Sequence, residues 1–220
     1  EKGFVYYSFT TMLIKTDLQG RLVGTVSGLL GHLGCIDFCE GDGRVYGSLE
    51  YKSDAIGKGI LAHLGREDHL RDAFYAAIFD VDRIDRPGMD ATADGVMTTV
   101  YLREVVEDYH AQVACGGRTV DHRHGCSGID GLTFGPFPGS SDGREYLFVT
   151  YGVYSDLTRA DNDYQVMLCY DAADWRDYER PLSQASMHES GPAAPRNKLF
   201  VYTGNTTYGV QNLEYDAFTR

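Results

Sequence analysis

Two histidines stand in segments of similar sequence, each a few residues before an aspartate. His32 precedes Asp37, and His124 precedes Asp130. The pKa of a free imidazole lies near neutrality, so a histidine beside a metal-bound water can act as a general base in opening a lactone or cleaving an ester. The sequence therefore makes His32 and His124 candidate catalytic residues, while the simpler interpretation of each is a hydrogen-bonding residue in a loop.

A third histidine indicates a different metal site. His122 lies two residues before His124, so both imidazoles point to one side if this stretch is extended. Imidazole suits zinc, and His122, His124 and Asp130 could together hold a zinc ion. The five cysteines are odd in number and contain no Cys-x-x-Cys pair, which indicates neither a disulfide scaffold nor a zinc knuckle. We interpret Cys35 and Cys39 as small buried residues on one face of a strand.

These candidate residues lie in an internal repeat. A strand ending in Asp, a turn, a second strand and a Gly-containing stretch ending in Asp or Asn follow one another three times, over residues 12–38, 75–130 and 164–212. Two further strands, at 44–51 and 145–153, each follow an Asp-Gly-Arg sequence, which is a strong short-range hairpin signal. The spacing places the strands in antiparallel groups of four.

Four-stranded antiparallel units repeated along a chain are typical of a β-propeller, in which sheets stack around a central channel. We therefore predict an all-β fold with one blade over 34–106, a second over 126–208, and incomplete blades at 1–33 and 209–220. A plain β-sandwich of hairpins explains the alternating strands but not the three Gly-containing junctions. The sequence supplies about 11 strands, whereas a ring of four blades needs about 16. We expect a portion of a larger ring, with open sheet edges through which chains could associate.

The two hairpins resemble those of a known group of propellers. The segments GIDGLTFGP (residues 128–136) and SDGREYLFVT (141–150) are similar to the inner hairpin of the gluconolactonase (SMP-30-like), strictosidine-synthase-like and NHL-repeat propellers. In that hairpin, a Gly-Leu-x-Phe strand leads through Pro-Asp-Gly to a Leu-Tyr-Val-Thr strand. Residues 34–38 and 41–46 look like a second copy. The resemblance implies the propeller architecture but no particular activity, because the same hairpin occurs in non-enzymatic propellers.

The resemblance also implies a calcium site. In the lactonase-like propellers, Asp, Asn and Glu side chains at the heads of the inner strands hold one calcium ion. The matching positions here are Asp37, Asp130 and Asn212, with Glu50 as a fourth candidate. We expect Asp37 and Asp130 at equivalent positions of adjacent blades. Oxygen ligands from separate blades suit Ca²⁺, which takes about 6–8 of them. Zinc is the alternative ion, and an aspartate after a glycine can instead cap a turn.

Composition and charge limit the partners. The formal charge of −12 and the pI near 4.9 argue against nucleic acid, since phosphate binding needs a basic surface. No apolar run approaches the roughly 18 residues of a membrane helix, so we expect a soluble chain without a membrane partner. The chain begins at Glu1 without Met, which we interpret as a removed leader or a trimmed sequence. The compartment stays open, with secretion and the periplasm as candidates.

Three functions remain after these exclusions. The first is a metal-dependent lactone or ester hydrolase with an acidic site in the propeller channel. The alternative is a non-catalytic propeller that binds a glycan, another small molecule or a protein through its long loops. The third is a structural propeller segment within a larger multidomain protein.

Overall fold

A computed structural model of the chain describes residues 2–206 and 208–218, and this part is mostly β-structure. Its strands are β1 (Phe4–Phe9), β2 (Met12–Asp17), β3 (Leu22–Ser27), β4 (His32–Cys39), β5 (Arg44–Tyr51), β6 (Ala73–Phe79), β7 (Met89–Asp90), β8 (Met97–Tyr101), β9 (Gln112–Cys115), β10 (Arg118–Asp121), β11 (Cys126–Pro136), β12 (Glu145–Val153), β13 (Tyr164–Tyr170) and β14 (Asn197–Tyr202). The helices α1 (Ala55–His63) and α2 (Arg103–His110) lie in connections. No helix of the described residues is long and apolar enough to cross a membrane.

The strands form three four-stranded sheets and a separate hairpin. The first sheet has the order β1-β2-β3-β7, the second β4-β5-β6-β8 and the third β11-β12-β13-β14, while β9 pairs with β10. All neighbours are antiparallel except β3 and β7, which are parallel. Within the described residues no sheet closes on itself. The predicted four-stranded groups in the second and third sheets are confirmed.

The sheets stack face to face, and β6 shows this most clearly. Every residue of β6 is buried. Its odd-numbered side chains, such as Tyr75 and Phe79, join the apolar cluster shared with the first sheet, while even-numbered ones such as Phe74 and Ile78 join the cluster shared with the third. A strand covered on both faces is a continuous apolar run rather than an alternating one. The second sheet is therefore the middle layer.

The structure departs from the sequence prediction at both ends of the chain. Strand β1 was not predicted, yet it pairs with β2 along its whole length, so the first sheet has a strand where an incomplete blade was expected. Residues 208–218 hold no strand, although their side chains lie beside β11, with Val210 and Leu213 next to Gly131. The last two residues of the predicted blade at 209–220 lie outside the described residues.

Candidate functional site

Three side chains predicted from sequence meet at one point of the structure. His32 opens β4, Glu50 lies directly opposite it on β5, and Asp130 lies on β11, the strand adjacent to β4. One ligand atom from each residue lies within 4.8 Å of the other two. We call this group the His–Glu–Asp centre. It is the only such group of three His, Cys, Asp or Glu side chains in the part of the chain that the structure describes.

The carboxylate of Glu50 is buried at the base of this centre. Its Oε2 accepts a hydrogen bond of 3.0 Å from the backbone N–H of Ile129. Its Oε1 lies 2.6 Å from Nζ of Lys52 and 3.6 Å from Nδ1 of His32. The two oxygens thus link β5 to β11 and to two basic side chains, which fixes the orientation of the carboxylate.

Two glycines leave the space that the carboxylates occupy. A Cβ at Gly128 would lie under 3.0 Å from Oε2 of Glu50. Gly128 also has φ +127°, a backbone conformation that residues with a side chain rarely adopt. A Cβ at Gly152 would lie equally close to Oδ2 of Asp130. Because only glycine fits at these points, the backbone of β11 and β12 is shaped around the two acidic groups.

The pKa of the Asp130 carboxyl group is higher than its usual value. Burial raises its pKa, and the nearby negative charge of Glu50 raises it further, while Lys52 and His32 oppose the shift. The residue lies at an irregularity of β11, between Ile129 and Gly131, where the pairing with β12 skips a position. Perturbed carboxyl groups of this kind are concentrated at functional sites.

Lys52 is the functional candidate that sequence reasoning missed. Its ammonium donates to the carbonyl oxygen of Ser127 at 2.9 Å, in addition to the ion pair with Glu50, and lies 3.9 Å from Oδ2 of Asp54. The signal was present, because Glu50, Lys52 and Asp54 alternate along an extended stretch and therefore share a side. Asp54 also caps α1 by accepting from the N–H of Gly57.

Asp37 does not join the centre, contrary to the calcium prediction. Its Oδ2 accepts hydrogen bonds from the N–H of Phe134 at 2.7 Å and the hydroxyl of Thr133 at 2.9 Å, and its Oδ1 accepts from Phe38 N. It lies opposite Tyr46 in the regular ladder, whereas Asp130 lies at a break in one. The predicted equivalence of Asp37 and Asp130 is therefore wrong, and Asp37 ties β4 to β11.

Asn212 also lies apart from the centre. Its exposed side chain accepts hydrogen bonds from the Cys35 thiol at 2.6 Å and from Leu213 N at 2.8 Å. The predicted calcium set is not assembled, since its members Asp37 and Asn212 are engaged elsewhere. The group that does form includes an imidazole among three donors, which does not fit an ion that takes about 6–8 oxygens.

The second predicted zinc set, His122 with His124 and Asp130, is not assembled either. His124 packs its ring on Phe200 with 5.1 Å between ring centroids, and burial lowers its pKa. His122 places Nδ1 2.6 Å from the carbonyl oxygen of Tyr109. A carbonyl oxygen can only accept, so Nδ1 of His122 is the donor in this hydrogen bond. Neither ring belongs to a group with Asp130.

Comparison of the chain with protein-family models, with curated proteins and with solved structures gives no match. The geometry of the His–Glu–Asp centre is therefore the basis for assigning a function to the chain.

Proposed function

We propose that the three sheets are blades of a β-propeller and that the His–Glu–Asp centre holds a divalent transition-metal ion for the hydrolysis of lactones or esters. The stacking supports the first part of the proposal. Strand β1 lies beside β4 and β4 beside β11, so the first strands of the three sheets are neighbours. This is the arrangement of inner strands around a propeller channel.

A cleft between β1 and β4 gives further support. It has a volume of about 570 Å³ and is lined by Tyr7 and Phe9 of β1, Cys35 of β4, and Gln211 and Asn212 of the last described segment. Inner strands of separate blades facing a common space are expected of a channel. Three sheets are fewer than the four blades of a small ring, so association through open edges remains our prediction.

The convergence of His32, Glu50 and Asp130 is the observation that carries the proposed metal site. One imidazole and two carboxylates are donors that zinc accepts, and three protein ligands leave a position open, as in catalytic zinc sites. The imidazole favours a transition metal over calcium. The side chain of His32 is 30% exposed, so this edge of the centre faces solvent.

The lactone or ester substrate is supported by the resemblance of the two hairpins to those of lactonase propellers. A zinc ion at the centre would bring the pKa of a water molecule towards neutrality. His32, Glu50 and Asp130 would hold the ion, the proton of that water would pass to solvent at the exposed His32 edge, and the leaving alcohol would take a proton from solvent. In this hydrolysis the water oxygen bonds to the carbonyl carbon and the bond from that carbon to the alcohol oxygen breaks.

Metal analysis and hydrolysis assays test the proposal on the whole chain. We expect about one zinc ion per chain after dialysis against zinc and then against metal-free buffer, with turnover of a lactone or an aryl ester. Glu50→Gln and His32→Ala should lose both the ion and turnover. The matched controls Glu67→Gln and His69→Ala change exposed residues and should keep both.

Two results would contradict this function. Absence of bound metal in a folded chain would remove the site and favour the non-catalytic propeller. Bound metal that survives Glu50→Gln and His32→Ala would place the ion elsewhere, for example on cysteines.

A further inference from the structure

A fixed positive charge already lies inside the His–Glu–Asp centre. The side chains of Lys52 and Glu50 are only 5% and 2% exposed, and their charged atoms are 2.6 Å apart. A buried ion without a partner is strongly destabilising, so each of these groups needs the other when no second cation is present. The centre therefore has its own counter-ion.

A divalent ion and this ammonium need the same oxygen. His32 Nδ1 and Lys52 Nζ both approach Oε1 of Glu50, while Oε2 is held by Ile129 N. An ion bound to Oε1 would place a double positive charge within a few ångströms of the ammonium. At such distances and with limited solvent, like charges repel strongly, so the ion and the ammonium cannot both stay on this oxygen.

The carboxylate of Asp54 is a second possible acceptor for the Lys52 ammonium. Oδ2 of Asp54 lies 3.9 Å from Lys52 Nζ, just beyond a hydrogen bond, and the carbonyl oxygen of Ser127 already accepts from Nζ. Asp54 is held in place by the N–H of Gly57 and the hydroxyl of Tyr154. Because a lysine has three donors on a flexible stem, a small rotation can exchange one carboxylate for the other.

We propose that Lys52 is the exchangeable resident cation of the centre: a divalent ion takes Oε1 of Glu50, the ammonium moves to Asp54, and this exchange sets the affinity for the ion. This inference rests on the proposed metal function. Lys52 and Asp54 thus control how tightly the centre binds a divalent ion, although neither residue is a ligand of that ion.

Zinc affinity measured by competition with a chromophoric chelator tests the exchange. Lys52→Met removes the competing charge and should bind zinc at least about ten-fold more tightly than wild type. Lys52→Arg keeps the charge and should stay close to wild type. Asp54→Asn, which keeps a good helix cap, should weaken binding several-fold because the displaced ammonium loses its second carboxylate.

Two further variants keep the test decisive. Adding His32→Ala to Lys52→Met should abolish the gain, which places the ion in this centre rather than on cysteines. If Lys52→Met does not fold by circular dichroism, Lys52→Gln replaces it with the same expectation.

The outcomes separate the exchange from the proposed function. Equal zinc affinity in wild type and Lys52→Met would overturn the exchange and leave the metal function standing. Binding by Lys52→Met alone would support the exchange and overturn the metal function of the natural chain. Absence of binding in both would overturn both.

Discussion

The carboxylate of Glu50 fills the space that a side chain on Gly128 would need. A Cβ at Gly128 would stand under 3.0 Å from Glu50 Oε2. The next residue, Ile129, donates its N–H to the same oxygen. The backbone of β11 therefore recognises a side chain of β5, and the Gly-containing junction is part of the centre.

Gly128→Ala should therefore disrupt both the fold and zinc binding. The new Cβ meets a buried carboxylate and stands on a residue with φ +127°, so we expect a loss of at least about 3 kcal/mol in the free energy of unfolding. Gly139→Ala is the control, because Gly139 also has a positive φ but open space around it. Urea denaturation measures both. Equal losses would show that backbone conformation alone explains the glycine.

Glu50→Gln should destabilise the metal-free chain by about 3 kcal/mol, since it leaves the ammonium of Lys52 buried without its nearest carboxylate. Adding Lys52→Met should recover much of this loss, because the pair is then removed together. The exposed pair Arg66–Asp68 is the control, and Asp68→Asn should cost less than about 1 kcal/mol. Additive losses for Glu50 and Lys52 in urea denaturation would contradict the ion pair.

Asp37→Asn should act on stability and leave zinc affinity unchanged. The carboxylate accepts from Thr133, Phe134 and Phe38, and we expect a loss of about 1–2 kcal/mol when its charge is removed. Thr133→Val removes one of these donors and should cost less. A variant that stays stable yet loses zinc would instead make Asp37 a ligand, as the sequence resemblance implies.

Asp130→Asn should change the pH dependence of stability when a chelator keeps the chain metal-free. The folded-state pKa of Asp130 is raised, so ionisation of this carboxyl opposes folding. As the pH rises from about 4 through that pKa, wild type therefore loses the part of its stability that the protonated carboxyl contributes. Over this pH interval Asp130→Asn should become more stable relative to wild type. At higher pH the difference in the free energy of unfolding should stay constant.

Asp142→Asn supplies a control of opposite sign for the same titration. The backbone N–H of Arg144 holds the pKa of Asp142 below its usual value, so this variant should lose stability relative to wild type as the pH rises. Urea denaturation between about pH 3 and pH 8 measures both. A difference between Asp130→Asn and wild type that does not vary with pH would contradict the raised pKa.

The turns and the internal repeat made most of the second and third sheets predictable. Asp42 and Asp142 each accept a hydrogen bond from the backbone two residues on, as expected for turn aspartates. Strand β1 escaped prediction because its partly buried residues, Phe4–Phe9, lie before the first copy of the repeat. A pattern found by repetition does not reveal an element that lies outside it.

The candidate site was predictable in its members but not in their grouping. His32 was named as a catalytic residue, and Glu50 and Asp130 were named as members of a calcium ligand set. The irregularities in β4 and β11 place Asp130 and Asp37 at different positions of their ladders, and an irregular pairing cannot be derived from the spacing of residues alone. Lys52 was missed because a charge after a strand usually indicates a solvated residue.

Strand β7 links the first two sheets by more than stacking. Its residues Met89 and Asp90 belong to the connection between β6 and β8, yet they pair with Val26 and Ser27 of β3. In an ordinary repeat array each unit keeps its own strands, and units can open one at a time. Here the edge strand of the first sheet, β7, belongs to the connection between two strands of the second sheet. The first sheet is therefore complete only when β6 and β8 have positioned that connection. Amide hydrogens of β2 and β6 should consequently exchange with solvent through a shared cooperative opening, which makes the two sheets one folding unit.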